Sequence, residues 1–197
     1  MEYKLSVGFN GNLELLEKLF DDENNKIGTI YTGGYLRDIS SGRYQHSESK
    51  EKLEEIVKIV HNKGAKIAIT MNSPCNVPPL SEKHWWREIK NYLKELESIG
   101  VDTVIIAHPF IMSLAKESTD MTIAASIICD INTPRGALYY EAMGADIIVP
   151  SSSINYDIEQ LKNIKENLKK AKLALLVNEA CLGNCPWRRF HQNALSH

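Results

Sequence analysis

The sequence predicts an α/β fold, a TIM-like (β/α) barrel in a single domain over residues 1–197, with about seven βα units visible. Three observations predict it. First, a charged amphipathic stretch ending in glycine is followed at once by a β-branched apolar run at Gly64, Gly100 and Gly144. Such a joint reads as a helix closed by a left-handed glycine, then a strand buried on both faces. Second, strict β-α alternation implies parallel strands with right-handed crossovers, which a barrel or an open doubly wound sheet would satisfy. Third, the units are spaced by roughly 20–40 residues, and Val7-Gly8-Phe9-Asn10-Gly11 does not make the Gly-x-Gly-x-x-Gly turn of a dinucleotide-binding sheet. The barrel is favoured on both counts. A complete barrel has eight units and typically ~200–250 residues. This chain reads as about one unit short, so a longer natural chain, a C-terminal helix or a partner is expected to close it.

Taken in order, Lys4 to Phe9 reads as a strand, Leu13 to Phe20 as a helix and Ile27 to Tyr31 as a strand. Ser49 to Asn62 places Leu53, Ile56, Val57 and Val60 at helical spacing, before a strand near Ile67. The charged run Glu48 to Glu55 reads as that helix's solvated face. Ser81 can cap a helix to Ile99 with Trp85, Ile89, Leu93 and Leu96 inward, before a strand near Val104. A strand near Ile123 precedes Thr133-Pro134, a cap followed by proline at the first helical position, which opens a helix to Met143. A strand near Ile147 follows, then a helix capped by Asp157, and a seventh strand near Leu175 in a weaker copy of the joint that lacks glycine.

The 197 residues carry 23 Lys+Arg against 25 Asp+Glu, a net charge of −2, with 43% hydrophobic and 24% charged residues. That balance belongs to a globular rather than a disordered chain. Near-neutral charge argues against a strong nonspecific grip on nucleic acid, while leaving room for a local basic patch. The apolar runs fall far below the ~18 residues of a membrane span. No basic region leads into an apolar core at the N-terminus, so a cytoplasmic location is expected. In that setting the four cysteines point to metal binding, catalysis or burial rather than to disulfides.

In a parallel barrel the loops after the strands build the active site. All four cysteines fall on that face: Cys75 after strand three, Cys129 after strand five, Cys181 and Cys185 after strand seven. Four thiolates suit an iron–sulfur cluster or zinc. Cys75 and Cys129 also suit the role of small buried apolar residues. A zinc site of Cys181, Cys185, His191 and His197 competes, although Cys185 and His191 lie too close in sequence for a zinc finger. His108 after strand four reads as a general base or as a hydrogen-bonded loop histidine. Arg188 and Arg189 lie in the segment Pro186 to His191. It reads either as a grip for an acidic or aromatic small molecule or RNA, or as an amphipathic helix start with Trp187 and Phe190 inward. Trp85-Trp86 reads as barrel-shell packing. No Gly-x-Ser-x-Gly elbow and no radical S-adenosylmethionine cysteine triplet is present.

Two stretches resemble the collagenase-like peptidase family, U-32, over roughly its N-terminal barrel. They are Ser126 to Ser151, with Cys129-Asp130-Ile131-Asn132-Thr133 and the Gly144 joint, and Val177 to Cys185. The resemblance implies either a peptidase, using a cysteine or thiolate-bound zinc, or an iron–sulfur protein of oxygen-independent hydroxylation. Members of the second kind act on ubiquinone precursors or on tRNA or ribosomal RNA bases, and prephenate is implicated in some. In the ubiquinone branch four cysteines hold a four-iron four-sulfur (4Fe-4S) cluster. Its last two ligands share the Cys-x3-Cys spacing of Cys181 and Cys185, whereas Cys75 and Cys129 correspond only by their place on the barrel face. The expected site is therefore a cluster on Cys75, Cys129, Cys181 and Cys185 with His108, Arg188 and Arg189 near the substrate. One half of a homo- or hetero-oligomer is a further expectation, motivated by the missing eighth unit.

Overall fold

A computed structural model of the chain describes residues 4–22, 26–36, 39, 41, 48–74, 83–179, 181 and 185–196. Seven strands form one sheet in sequence order: β1 Leu5–Gly8, β2 Ile27–Gly33, β3 Lys66–Met71, β4 Thr103–Ile106, β5 Thr122–Ala125, β6 Ile147–Ile148 and β7 Lys172–Leu173. Every neighbouring pair is parallel. Consecutive order excludes the doubly wound alternative, in which strand order reverses at a switch point. The architecture is an incomplete (β/α) barrel, and among the described residues β7 and β1 remain edges.

The helices are α1 Leu13–Lys18, α2 Lys50–Asn62, α3 Lys83–Ile99, α4 Pro109–Ser118, α5 Pro134–Ala142, α6 Ile158–Asn167 and α7 Arg188–Leu195. Their caps explain where they begin. Ser49, Thr133 and Asp157 each accept a backbone N–H with the side-chain oxygen, which the sequence predicts for Thr133 and Asp157. Ser81 lies outside the described residues. Helix α4 is an element the sequence periodicity does not single out; its signals are Pro109 at the first position and Ile111, Met112 and Ala115 buried on one face.

The three glycine joints are one motif repeated. Gly64, Gly100 and Gly144 have φ of +73°, +97° and +113°. In each, the glycine N–H bonds the carbonyl three residues back (His61, Glu97, Glu141) and the next N–H bonds the carbonyl five back (Val60, Leu96, Tyr140). This is the Schellman closure, and the residues that follow it, Ala65, Val101 and Ala145, are buried.

The core lies between sheet and helices. Ile30, Ile67, Ile69, Val104 and Ile106 of the strands are fully buried against Leu53, Ile56, Ile89, Leu93 and Leu96 of α2 and α3. Three details depart from the sequence reading. Glu48 is buried and ion-paired to Lys52 at 3.0 Å, because Lys52 folds back toward Phe9 and the Gly11 carbonyl rather than into solvent. The apolar run Ile123 to Cys129 is broken by Ser126, whose hydroxyl caps a 3-10 turn over Ile127–Cys129. The seventh strand is short, and Val177 is 85% exposed, because no strand lies beyond β7 among the described residues.

Candidate functional site

The C-terminal ends of β3, β4 and β5 meet the C-terminal helix around a cleft of about 390 Å3. Odd-numbered strands converge here: Asn72 beyond β3 donates its side-chain amide to the Ser126 hydroxyl beyond β5 at 3.0 Å, and both are buried. Ser73 and Pro74 continue from β3 into the cleft wall, as do Ala107, His108 and Pro109 from β4. From the β5 side come Ile128, Cys129 and, on α5, Tyr140.

His108 is the N-cap of α4. Its Nδ1 accepts the Phe110 N–H at 3.1 Å, so the neutral ring carries its proton on Nε2. Half-burial lowers its pKa, which favours that neutral form. Trp86 stands over this corner, 4.2 Å from the Phe110 ring and 6.3 Å from the His108 ring between centroids. Only Trp85 of the tryptophan pair is core.

Cys129 ends the 3-10 turn. Its Sγ–H points to the carbonyl oxygens of Ala107 at 3.4 Å and Ile106 at 3.6 Å. Burial pushes the thiol up to about 12, against the opposing pull of the Tyr140 hydroxyl and nearby backbone N–H groups. Asp130 follows in the left-handed region, φ 52°, and its Oδ1 accepts the Ser151 hydroxyl at 2.6 Å. That bond ties the loop after β5 to the loop after β6.

Helix α7 starts directly from the cysteine loop, with the Arg188 N–H donating to the Cys185 carbonyl at 3.2 Å. Arg189, Gln192 and Asn193, spaced at helical intervals, line the cleft. Trp187 and Phe190 lie 63% and 64% exposed, so the expectation that they pack inward fails. The inward face of α7 is its polar one.

The structure therefore gathers His108, Cys129 and Arg189 at one cleft, and Arg188 does not line it. Tyr140, Gln192 and Asn193 are not among the residues the sequence singles out; only the helical spacing of Arg189 with Gln192 and Asn193 could have signalled the last two. Cys75 and His197 lie outside the described residues. None of Cys129, Cys181 and Cys185 forms a disulfide. Cys181 is partly exposed, its N–H donating to the Glu179 carboxylate at 3.0 Å. Among the described residues no group of three or more His, Cys, Asp or Glu side chains is placed to hold a metal ion. Cys181 and Cys185 fit thiolate ligation by donor chemistry, being partly exposed on one loop; Cys129, a protonated donor to backbone carbonyls, does not in this geometry. A second hollow of about 400 Å3 lies along α6, lined by residues of that helix and its cap alone, and brings no separate elements together.

The sequence matches the family model of peptidase family U32 over residues 11–188, and the chain belongs to that family. It is 28% identical over 207 aligned residues to the uncharacterized protease MJ1657 of Methanocaldococcus jannaschii, covering 98% of this chain and 60% of that protein. It is 26% identical to the uncharacterized protease MJ0090 of the same organism, over 74% of this chain and 33% of that one. The chain thus spans less than two thirds of these relatives' length. The solved structure of the U32 peptidase Mk0906 superposes with a TM-score of 0.84 at 20% identity, covering 99% of this chain and 76% of that one. Phosphonopyruvate hydrolase superposes at 0.55 with 15% identity, over 97% and 71% of the two chains. Both share the fold. Among the described residues no helix is long and apolar enough to cross a membrane.

Proposed function

We propose that this chain is the barrel part of an iron–sulfur enzyme of family U32, working in oxygen-independent hydroxylation or a related redox step at the cleft between β3, β4, β5 and α7. One observation carries the reading. The Cys181–Cys185 loop and the cleft are joined by α7, which begins at the Cys185 carbonyl and lays Arg189, Gln192 and Asn193 into the cleft. Cys181 and Cys185 would hold two corners of the cluster, with Cys75 the remaining candidate in this chain. A bound cluster supplies one-electron chemistry. The chain's own residues bind and orient: Arg189 offers positive charge, and the His108 ring and Tyr140 hydroxyl offer protons at the cleft wall.

The protease names of the relatives motivate a second reading, hydrolysis by a cysteine. Cys129 argues against it. Nucleophilic catalysis needs a thiolate activated by a base, whereas this thiol is protonated toward backbone carbonyls and the neighbouring His108 spends its Nδ1 on Phe110.

The test is iron and acid-labile sulfide analysis after anaerobic purification. Iron with absorbance near 400 nm is expected in the parent and in Cys129→Ser, and a large loss in Cys181→Ala and Cys185→Ala. Colourless, iron-free parent protein, or full iron retention in both loop variants, would overturn the proposal. Peptide cleavage abolished by Cys181→Ala would establish the second reading.

A further inference from the structure

We propose that the cleft binds a small molecule carrying one oxyanion group, a carboxylate or a phosphate, on an apolar body, with Arg189 as the charged grip and His108, Tyr140 and Asn193 as hydrogen-bonding partners. The inference deepens the functional reading by naming a substrate class, and it rests on that reading's placement of the active site but not on the cluster.

Charge comes first. Among the described residues lining the cleft, Arg189 carries the only formal charge, and no Asp or Glu accompanies it. A guanidinium facing neutral dipoles and no carboxylate has a positive field to satisfy, and its planar fork suits a two-oxygen anion.

Fixed donors come second. The Phe110 N–H holds Nδ1 of His108 as acceptor, which leaves Nε2–H as a donor in a residue that lines the cleft. The Tyr140 hydroxyl lies beside Cys129 in the same cleft wall. A preorganised donor such as the His108 ring lowers the ordering cost of binding.

The third observation points to a ligand directly. The side-chain oxygen of Asn193 is buried and has no hydrogen-bond partner among the described residues, although the residue lines the cleft. Leaving such a group buried and unpaired is costly. A half-turn of the amide presents its NH2 instead, a further donor for an oxyanion.

The body of the ligand follows from the remaining wall. Pro74, Ala107, Pro109 and Ile128 line the cleft, and Trp86 packs on His108 and Phe110 beside it. A cleft of about 390 Å3 admits a metabolite and not a folded polymer.

The experiment is calorimetric titration of the full chain with sodium benzoate, phenyl phosphate and neutral benzamide. At least one anion is expected to bind with one-to-one stoichiometry and at least tenfold more tightly than benzamide. The tighter of the two assigns the group as carboxylate or phosphate. Arg189→Gln is expected to weaken the anion tenfold or more, Arg189→Lys to weaken it less, and Arg87→Gln, on the exposed side of α3, to leave it unchanged. No anion binding, equal binding of benzamide, or full affinity in a folded Arg189→Gln overturns the proposal. Iron content is measured on the same preparations, so loss of the cluster and loss of anion binding are read separately.

Discussion

Cys129 shows how one residue's chemistry is set by what surrounds it. A thiol donating to two backbone carbonyls, beneath the Tyr140 hydroxyl, has little access to the thiolate form. With its pKa pushed up to about 12, roughly one molecule in 10⁴ carries a thiolate at pH 8. Cys181 and Cys185 sit partly exposed on a loop. In iron-free protein, iodoacetamide at pH 8 is therefore expected to label Cys181 and Cys185 in minutes and Cys129 only after unfolding, as read by mass spectrometry of tryptic peptides. Equal labelling of all three would remove the case for Cys129 as a protonated wall residue. In the sequence Cys129 and Cys181 look alike. The carbonyls that separate their chemistry belong to β4 and its following loop, more than twenty residues from Cys129, and no local pattern announces them.

At the scale of elements, the repeated glycine joints were legible because the Schellman closure is local: one residue with positive φ and two hydrogen bonds within six residues. The residues beside the joints were not. Asp102 and Asp146 each follow their glycine by two places, and each carboxylate accepts the N–H of a residue in the preceding strand, Ile67 and Ile123, at 2.9 Å. Glu141 goes further. Its carboxylate accepts the N–H groups of Lys169, Lys170 and Ala171, latching the turn before β7 onto α5. Partial burial pulls its pKa up, but the three backbone donors and the Lys169 charge outweigh that, and the net shift is downward. A folded pKa below the unfolded one means this stabilisation is complete above the ordinary glutamate range and is lost as pH falls through the depressed value. Glu141→Gln is expected to lower stability by about 1–3 kcal/mol at neutral pH. The gap from the parent should close as acid protonates Glu141, measured by urea melts from pH 7 to pH 3. A gap independent of pH would show that the charge is not what holds the turn.

Across the whole molecule, the sheet is strongest in its middle. β2 and β3 pair over five successive residues, Thr29 to Gly33, while β6 pairs each neighbour through Ile147 and Ile148 alone. β3 is buried on both faces from Ile67 to Met71, and β7 is half-open to solvent. Hydrogen exchange is expected to be slowest in β3 and β4 and fastest in β6 and β7, since opening free energy follows buried contacts. Protection in β7 equal to that in β3 would contradict this gradient. The weak edge carries the candidate chemistry: the cysteine loop follows β7, and α7 leads from it to the cleft.

By itself the sequence determined the barrel class, the family, the three joints and the helix caps at Thr133 and Asp157. These rest on periodicity and closure over a few residues, which a chain expresses wherever it is placed. Only the tertiary structure decided that Cys129 donates to backbone carbonyls, that Glu48 is buried and that the polar side of α7 turns inward. Each depends on an atom brought from a distant element, and burial and hydrogen bonding across that distance set the chemistry that residue type alone leaves open.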